Sequence, residues 1–197
     1  TCDGIAGGTN AQCSASQPSE QNAASINPFA SGTRTASDPI VVASGAHSIS
    51  LPLLNVQGRM PLGFAISYTS LSPSTDTGAG FGWTHRYGAT LNRVDSVTAA
   101  VQWPNGRVTR YQKAGVTWYP QSADANDKLV ENVDGSWTLT DAALTKHEFS
   151  STGALQKQTS RSGVVLNFTY AAGKLTTVTD PVSGRSLSFT WNAGNRI

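Results

Sequence analysis

From residue 40 onward, short runs of alternating apolar and polar side chains are broken by Gly, Pro, Asn and Asp, the period-two signature of strands and turns. Ile40-Val41-Val42 follows the turn-starting pair Asp38-Pro39 and closes at Ser44-Gly45, which predicts a first strand. His47 to Leu51 alternates until Pro52 interrupts, and Met60-Pro61-Leu62 leads into Phe64 to Tyr68. A strand pair joined through Asn55 to Gly58 is expected. A polar loop from Ser72 to Gly78 precedes Gly80-Phe81-Gly82-Trp83-Thr84-His85-Arg86-Tyr87. Glycines flanking large rings predict a tight corner in which the backbone kinks and the rings bury. Leu91, Val94 and Val97 continue the strand pattern. Pro104-Asn105-Gly106 and Asp134-Gly135 each sit between alternating runs and predict hairpins, with a strand ending at Trp118-Tyr119-Pro120 between them.

The stretch His147 to Ile197 reads as one unit written more than twice. Phe149, Tyr170 and Trp191 are 21 residues apart, and Gly163 with Gly184, Leu166 with Leu187 and Phe168 with Phe189 keep the same step. Each unit is an aromatic, a turn ending in Gly, a short strand, a second turn and an alternating strand. A lone hairpin is marginal in water, so such units need neighbours to cover their faces and continue their ladders. The expected fold is all-β, with successive antiparallel hairpins forming a twisted, coiling sheet and little or no helix. Residues 1–37 form a low-complexity leader, 38–146 an opening β region and 147–197 the repeats.

Composition supports this division. Gly, Ser, Thr and Asn are abundant while Glu, Lys and Met are scarce, which disfavours long helices. Of the 197 residues, 13% are charged and the net charge is +2, so nothing points to nucleic acid as a partner. No apolar run approaches the roughly 18–20 residues that span a bilayer. The leader is read either as a flexible linker or as an extended arm that pairs with an open sheet edge. It holds both cysteines, Cys2 and Cys13, and a disulfide closing that small loop suggests an oxidising compartment. The start without Met and the stop just after Gly194 suggest a processed chain or a piece of a longer one.

Tyr170-Ala171-Ala172-Gly173-Lys174-Leu175-Thr176-Thr177-Val178-Thr179-Asp180, then Gly184-Arg185-Ser186-Leu187-Ser188-Phe189-Thr190-Trp191-Asn192, then Gly194-Asn195-Arg196-Ile197, resembles the YD repeat of RHS proteins, with Trp191 where that pattern usually has Tyr. Asp38-Pro39-Ile40, Pro61-Leu62 with Phe64 and Tyr68, and the Gly80 to Tyr87 corner resemble the region that opens an RHS body. The resemblance spans Asp38 to Ile197 and implies part of a hollow β-shell from a secreted or surface-exposed carrier that commonly encloses a C-terminal toxin. No position matches the family's later self-cleaving aspartyl residues, so that activity does not carry over. The residues that this resemblance and the pattern single out are Tyr170, Gly173, Leu175, Asp180, Gly184, Arg185, Leu187, Phe189, Trp191 and Gly194 in the repeat. In the corner they are Gly80, Gly82, Trp83, His85 and Tyr87.

Candidate chemistry is sparse. His47, His85 and His147 lack ligand spacing, and His85 is expected to be a satisfied structural histidine. Asp76, Asp95, Asp124, Asp127, Asp134, Asp141 and Asp180 fall mostly in turns, where Asp bonds local backbone. No nucleophile, acid–base pair, metal set or cofactor motif assembles, so the expected role is structural rather than enzymatic. The partners are then the remainder of a longer polypeptide, completing a β-shell, or further copies of the chain in a self-assembling extracellular filament, joined through open β-edges. The alternative is a glycan- or cell-surface-binding module that uses Trp103, Trp118 and Trp137.

Overall fold

A computed structural model describes residues 40–41, 45–57, 60–122 and 126–197. The leader, its Cys2 and Cys13, and the loop residues Gly58 and Asp124 lie outside the described residues. Among those described there is no helix, and every strand pairing is antiparallel. Strands β1 (Ile40–Val41), β2 (Ala46–Val56), β3 (Leu62–Thr69) and β4 (Trp83–His85) form a four-stranded sheet in chain order.

A second sheet is an eleven-stranded meander, also in chain order. It comprises β5 (Thr90–Arg93), β6 (Thr98–Gln102), β7 (Val108–Ala114), β8 (Thr117–Pro120), β9 (Lys128–Glu131), β10 (Trp137–Thr140), β11 (Lys146–Phe149), β12 (Leu155–Thr159), β13 (Val165–Ala171), β14 (Lys174–Thr179) and β15 (Ser186–Ser188). Because β10 pairs with β11 across residues 146 and 147, the 21-residue units continue a sheet that begins at Thr90.

The alternation selects one face of the meander for the core. Leu91 lies opposite Val101, and Val101 opposite Thr109; further on, Leu129, Leu139 and His147 are cross-strand neighbours, all buried. Each such pair removes apolar surface from water on the same side of the sheet, so the sheet is fixed in register as well as in fold. Its strands twist enough to bring distant elements together: Leu91 N donates to the Gly153 carbonyl at 3.0 Å, and Thr90 bridges Ala154. The sheet therefore coils, and it does not close into a barrel.

Several of the hairpin loops share one turn design. In 103–107, 132–136, 150–154 and 160–164 the first residue's N–H bonds the fifth residue's carbonyl, and the fourth residue's N–H bonds back to the first. This is the three-residue loop with a left-handed fourth residue, filled by Gly106, Gly135, Gly153 and Gly163. The Asn-Gly and Asp-Gly signals thus mark hairpins correctly, but only the glycine of each pair has positive φ. Turn 192–196 repeats the bonds of 150–154, with Asn195 (φ 58°) in the left-handed place, so Gly194 is not the residue that makes this turn possible.

Three local expectations are corrected. Pro52 does not end β2: past His47 that strand has a neighbour on one side only, and a bulge between Pro52 and Leu54 absorbs the irregularity. Val94 and Val97 are exposed in the β5–β6 turn, where Asp95 Oδ1 accepts from the Val97 and Thr98 amides. Phe81 is 67% exposed at the corner, under the Arg196 guanidinium at 5.8 Å, while His85 and Tyr87 are buried.

Candidate functional site

The corner and the repeat, read separately from sequence, are joined in space. Phe189 lies 5.3 Å from Phe64 and 6.3 Å from Tyr87, and Tyr87 meets Phe168 edge-on at 5.5 Å. These rings weld the four-stranded sheet to the last two units by burying aromatic area from both. Polar contacts flank them. Ile197 N donates to the Gly78 carbonyl at 3.0 Å, Arg196 pairs with Asp76, and Arg185 Nη1 donates to the Gln57 carbonyl. Gly78 lets the loop approach Trp191, since a Cβ there would overlap the indole ring.

Within the repeat, Asp180 organises the turn before β15. Its carboxylate is buried and accepts from the Val182 and Ser183 amides, the Ser183 hydroxyl and Arg185 Nη2. Those bonds, the Ser183 hydroxyl's foremost, hold its carboxyl at about 2. Gly184 supplies the left-handed residue that closes the turn on Asp180. Gly173 and Ala172, both with positive φ, form the tight turn between Tyr170 and Leu175. Trp191 Nε1 donates to the Leu175 carbonyl at 2.8 Å, which fixes the third aromatic of the repeat to the strand of the second.

The outermost strand of the meander is β15. Asp180 N bonds Arg185 O, and Phe189 N bonds Thr176 O. Antiparallel alternation then turns the Leu187 amide toward β14 and the Ser186 and Ser188 amides away from it. Neither of those serine amides has a backbone partner among the described residues. Leu187 and Phe189 are half-buried against the core, so β15 offers a seated strand with one free edge.

Apart from this edge, a cleft of about 630 Å³ is lined by the corner loop, the start of β5 and the turns of the last two units. His85 and Tyr87 from the corner line it together with Tyr170, Lys174, Trp191 and Asn195. Lys174 Nζ donates to Asn195 Oδ1 at 2.6 Å and lies 5.6 Å from the Trp191 ring centre. Burial lowers His85 to about 4, so its ring is neutral, stacked on Phe64 at 6.0 Å. Its Nδ1 has no hydrogen-bond partner, which corrects the expectation of a satisfied histidine. Burial also pushes the Tyr87 hydroxyl above its usual range.

The other candidates fall elsewhere. Trp118 and Trp137 are each 2% exposed and stack edge to face at 5.1 Å, and Trp103 is half-buried against His147, so these rings are not laid out on the surface for sugar. His147 has both nitrogens engaged, by Asp141 at 3.0 Å and Gln158 at 3.2 Å, which leaves it no free base. Burial opposes ionisation of Asp141, but the His147 bond and the Thr145 amide hold its carboxyl below the ordinary value. Asp127 is no turn residue: it is buried and accepts from the Tyr111 hydroxyl. Among the described residues no group of three His, Cys, Asp or Glu side chains could hold a metal ion.

Sequence reasoning missed Asp76, Thr90, Lys174, Asn195 and Arg196 as neighbours of one cleft. Only the 21-residue step linking Lys174 to Asn195 hinted at any pair among them. Residues 37–111 match a domain of unknown function, DUF6531, which covers the four-stranded sheet and runs on into β7. No curated protein matches the chain.

Proposed function

We propose that the chain is a non-enzymatic structural module of a secreted or cell-surface RHS/YD-repeat protein, forming part of a β-shell of the toxin-carrier type. The observation that carries this reading is the free edge of β15, whose Ser186 and Ser188 amides point away from the sheet at the end of a regularly stepping meander. Unpaired edges are normally covered or extended by another strand. The units support extension: each adds two strands to the same ladder, and turn 192–196 repeats the geometry of 150–154. The occupant of the edge in this reading is a further strand of the same kind from a longer polypeptide, with a second copy of the chain as the competing outcome.

The four-stranded sheet fits the role of a terminal cap. It seals one side of the last units through Phe64, Tyr87 and Phe189. A synthetic peptide of residues 165–171, the strand one unit earlier, tests the reading. Binding that is lost in Ser188→Pro supports it, because that proline removes an outward amide without touching the β14 ladder. A peptide that binds neither protein counts against it.

A further inference from the structure

The cleft beside the corner has a chemistry that the joint does not require. A joint needs apolar contact and paired backbone, and Phe64, Phe189 and the Gly78–Ile197 bond supply these. The cleft instead gathers aromatic rings with polar groups left free. His85 presents a buried Nδ1 without a partner. Among the described residues the Tyr170 and Thr90 hydroxyls and the Asn195 amide nitrogen also make no hydrogen bond, and all three residues line the cleft. Thr90 and Asn195 are exposed, so water serves their groups, but the His85 Nδ1 and the Tyr87 hydroxyl are buried without a partner in the cleft lining, where water no longer compensates them.

Charge narrows the ligand class. Arg196 is neutralised by Asp76, and Lys174 is held by Asn195 and the Trp191 ring. With His85 neutral, no pair of free cations converges here as recognition of a phosphate or a polyanion would need. What remains is a set of neutral donors and acceptors around aromatic walls, in a cleft within the range of about 300–1,000 Å³ typical of ligand sites. A pyranose ring matches that set, with an apolar C–H face for a ring wall and hydroxyls around its rim.

We propose that this cleft binds a neutral oligosaccharide, with Tyr170 and Trp191 as the ring wall and His85, Tyr87, Thr90 and Asn195 taking the hydroxyls. The site is separate from the β15 edge: its lining residues are not the outward amides of Ser186 and Ser188, so the two readings fail independently.

Saturation-transfer NMR with maltose, lactose, cellobiose and diacetylchitobiose, each added to the whole chain, tests it. At least one sugar is expected to show transfer and to shift the Trp191 indole N–H resonance. The double variant Thr90→Val, Asn195→Gly is expected to weaken that binding at least tenfold, since glycine keeps the left-handed turn while removing the amide. Ser188→Pro is expected to leave it unchanged. Binding of the matching insoluble polysaccharide, but of none of the free disaccharides, would place recognition on an extended surface and overturn the assignment to this cleft. So would no transfer from any sugar, an indole signal that does not move, or full binding in the double variant.

Discussion

Leu91 and Gly153, 62 positions apart in the chain, meet backbone to backbone, and this contact is where the coil turns onto its own beginning. The Leu91 amide donates to the Gly153 carbonyl at 3.0 Å, and a Cβ on Gly153 would overlap the Leu91 carbonyl oxygen. Gly153 also has φ +84°, a left-handed conformation that side chains rarely adopt. Gly163 occupies the same place in the next turn with φ +80° and open space around it.

The two glycines separate backbone strain from close approach. Gly163→Ala is expected to destabilise by about 1 kcal/mol, the left-handed penalty alone. Gly153→Ala adds a backbone clash that nothing flexible relieves, and a loss of about 3 kcal/mol or more is expected. Urea unfolding of both variants measures the difference. Equal losses would show that the Leu91 contact does not constrain the fold.

His85 makes stability depend on pH in a defined window. Its pKa is about 4 in the folded protein against 6.5 in an unfolded chain, so the unfolded state binds more protons between those values. The contribution is fully present above pH 6.5 and is lost as the pH falls toward 4, in total about 3 kcal/mol from the shift. His85→Phe is expected to flatten this part of the profile, as measured by denaturant midpoints between pH 4 and 7. An unchanged slope would place the histidine in water.

Asp180 acts in a lower window. Its carboxyl is held at about 2 by the Ser183 hydroxyl and amide and by Arg185, so its contribution is present above the ordinary carboxylate pKa of 3.8 and is lost as the pH falls toward 2. Asp180→Ala also frees Arg185 from the turn that aims it at Gln57. It is expected to lower the denaturant midpoint more than Asp134→Ala, whose carboxylate bonds only within its own turn, to Ser136. Parallel unfolding curves at neutral pH check this ordering.

The parts of the fold that sequence revealed are those set by neighbours along the chain. The hairpins at Gly106 and Gly135 and the 21-residue step follow from turn residues and alternation over a few positions, and the structure has them. Val94 and Val97 misled because their apolar character fits a strand, whereas Asp95 captures the local amides and turns the chain. Phe81 misled because a ring between glycines looks like core, yet its neighbour is the guanidinium of Arg196, 115 positions later. The cleft was invisible for the same reason: Thr90, Ala154 and Trp191 come together only through the curl of the whole sheet. Neither the period nor the motif carries that distance.

Sedimentation of the 197-residue chain over a wide concentration range, alongside Ser188→Pro, tests the edge of β15 most directly. The account predicts that the native chain associates reversibly, or captures the 165–171 peptide, and that Ser188→Pro stays monomeric and binds no peptide while keeping its fold. A folded native chain that remains monomeric at every concentration and ignores the peptide would contradict it.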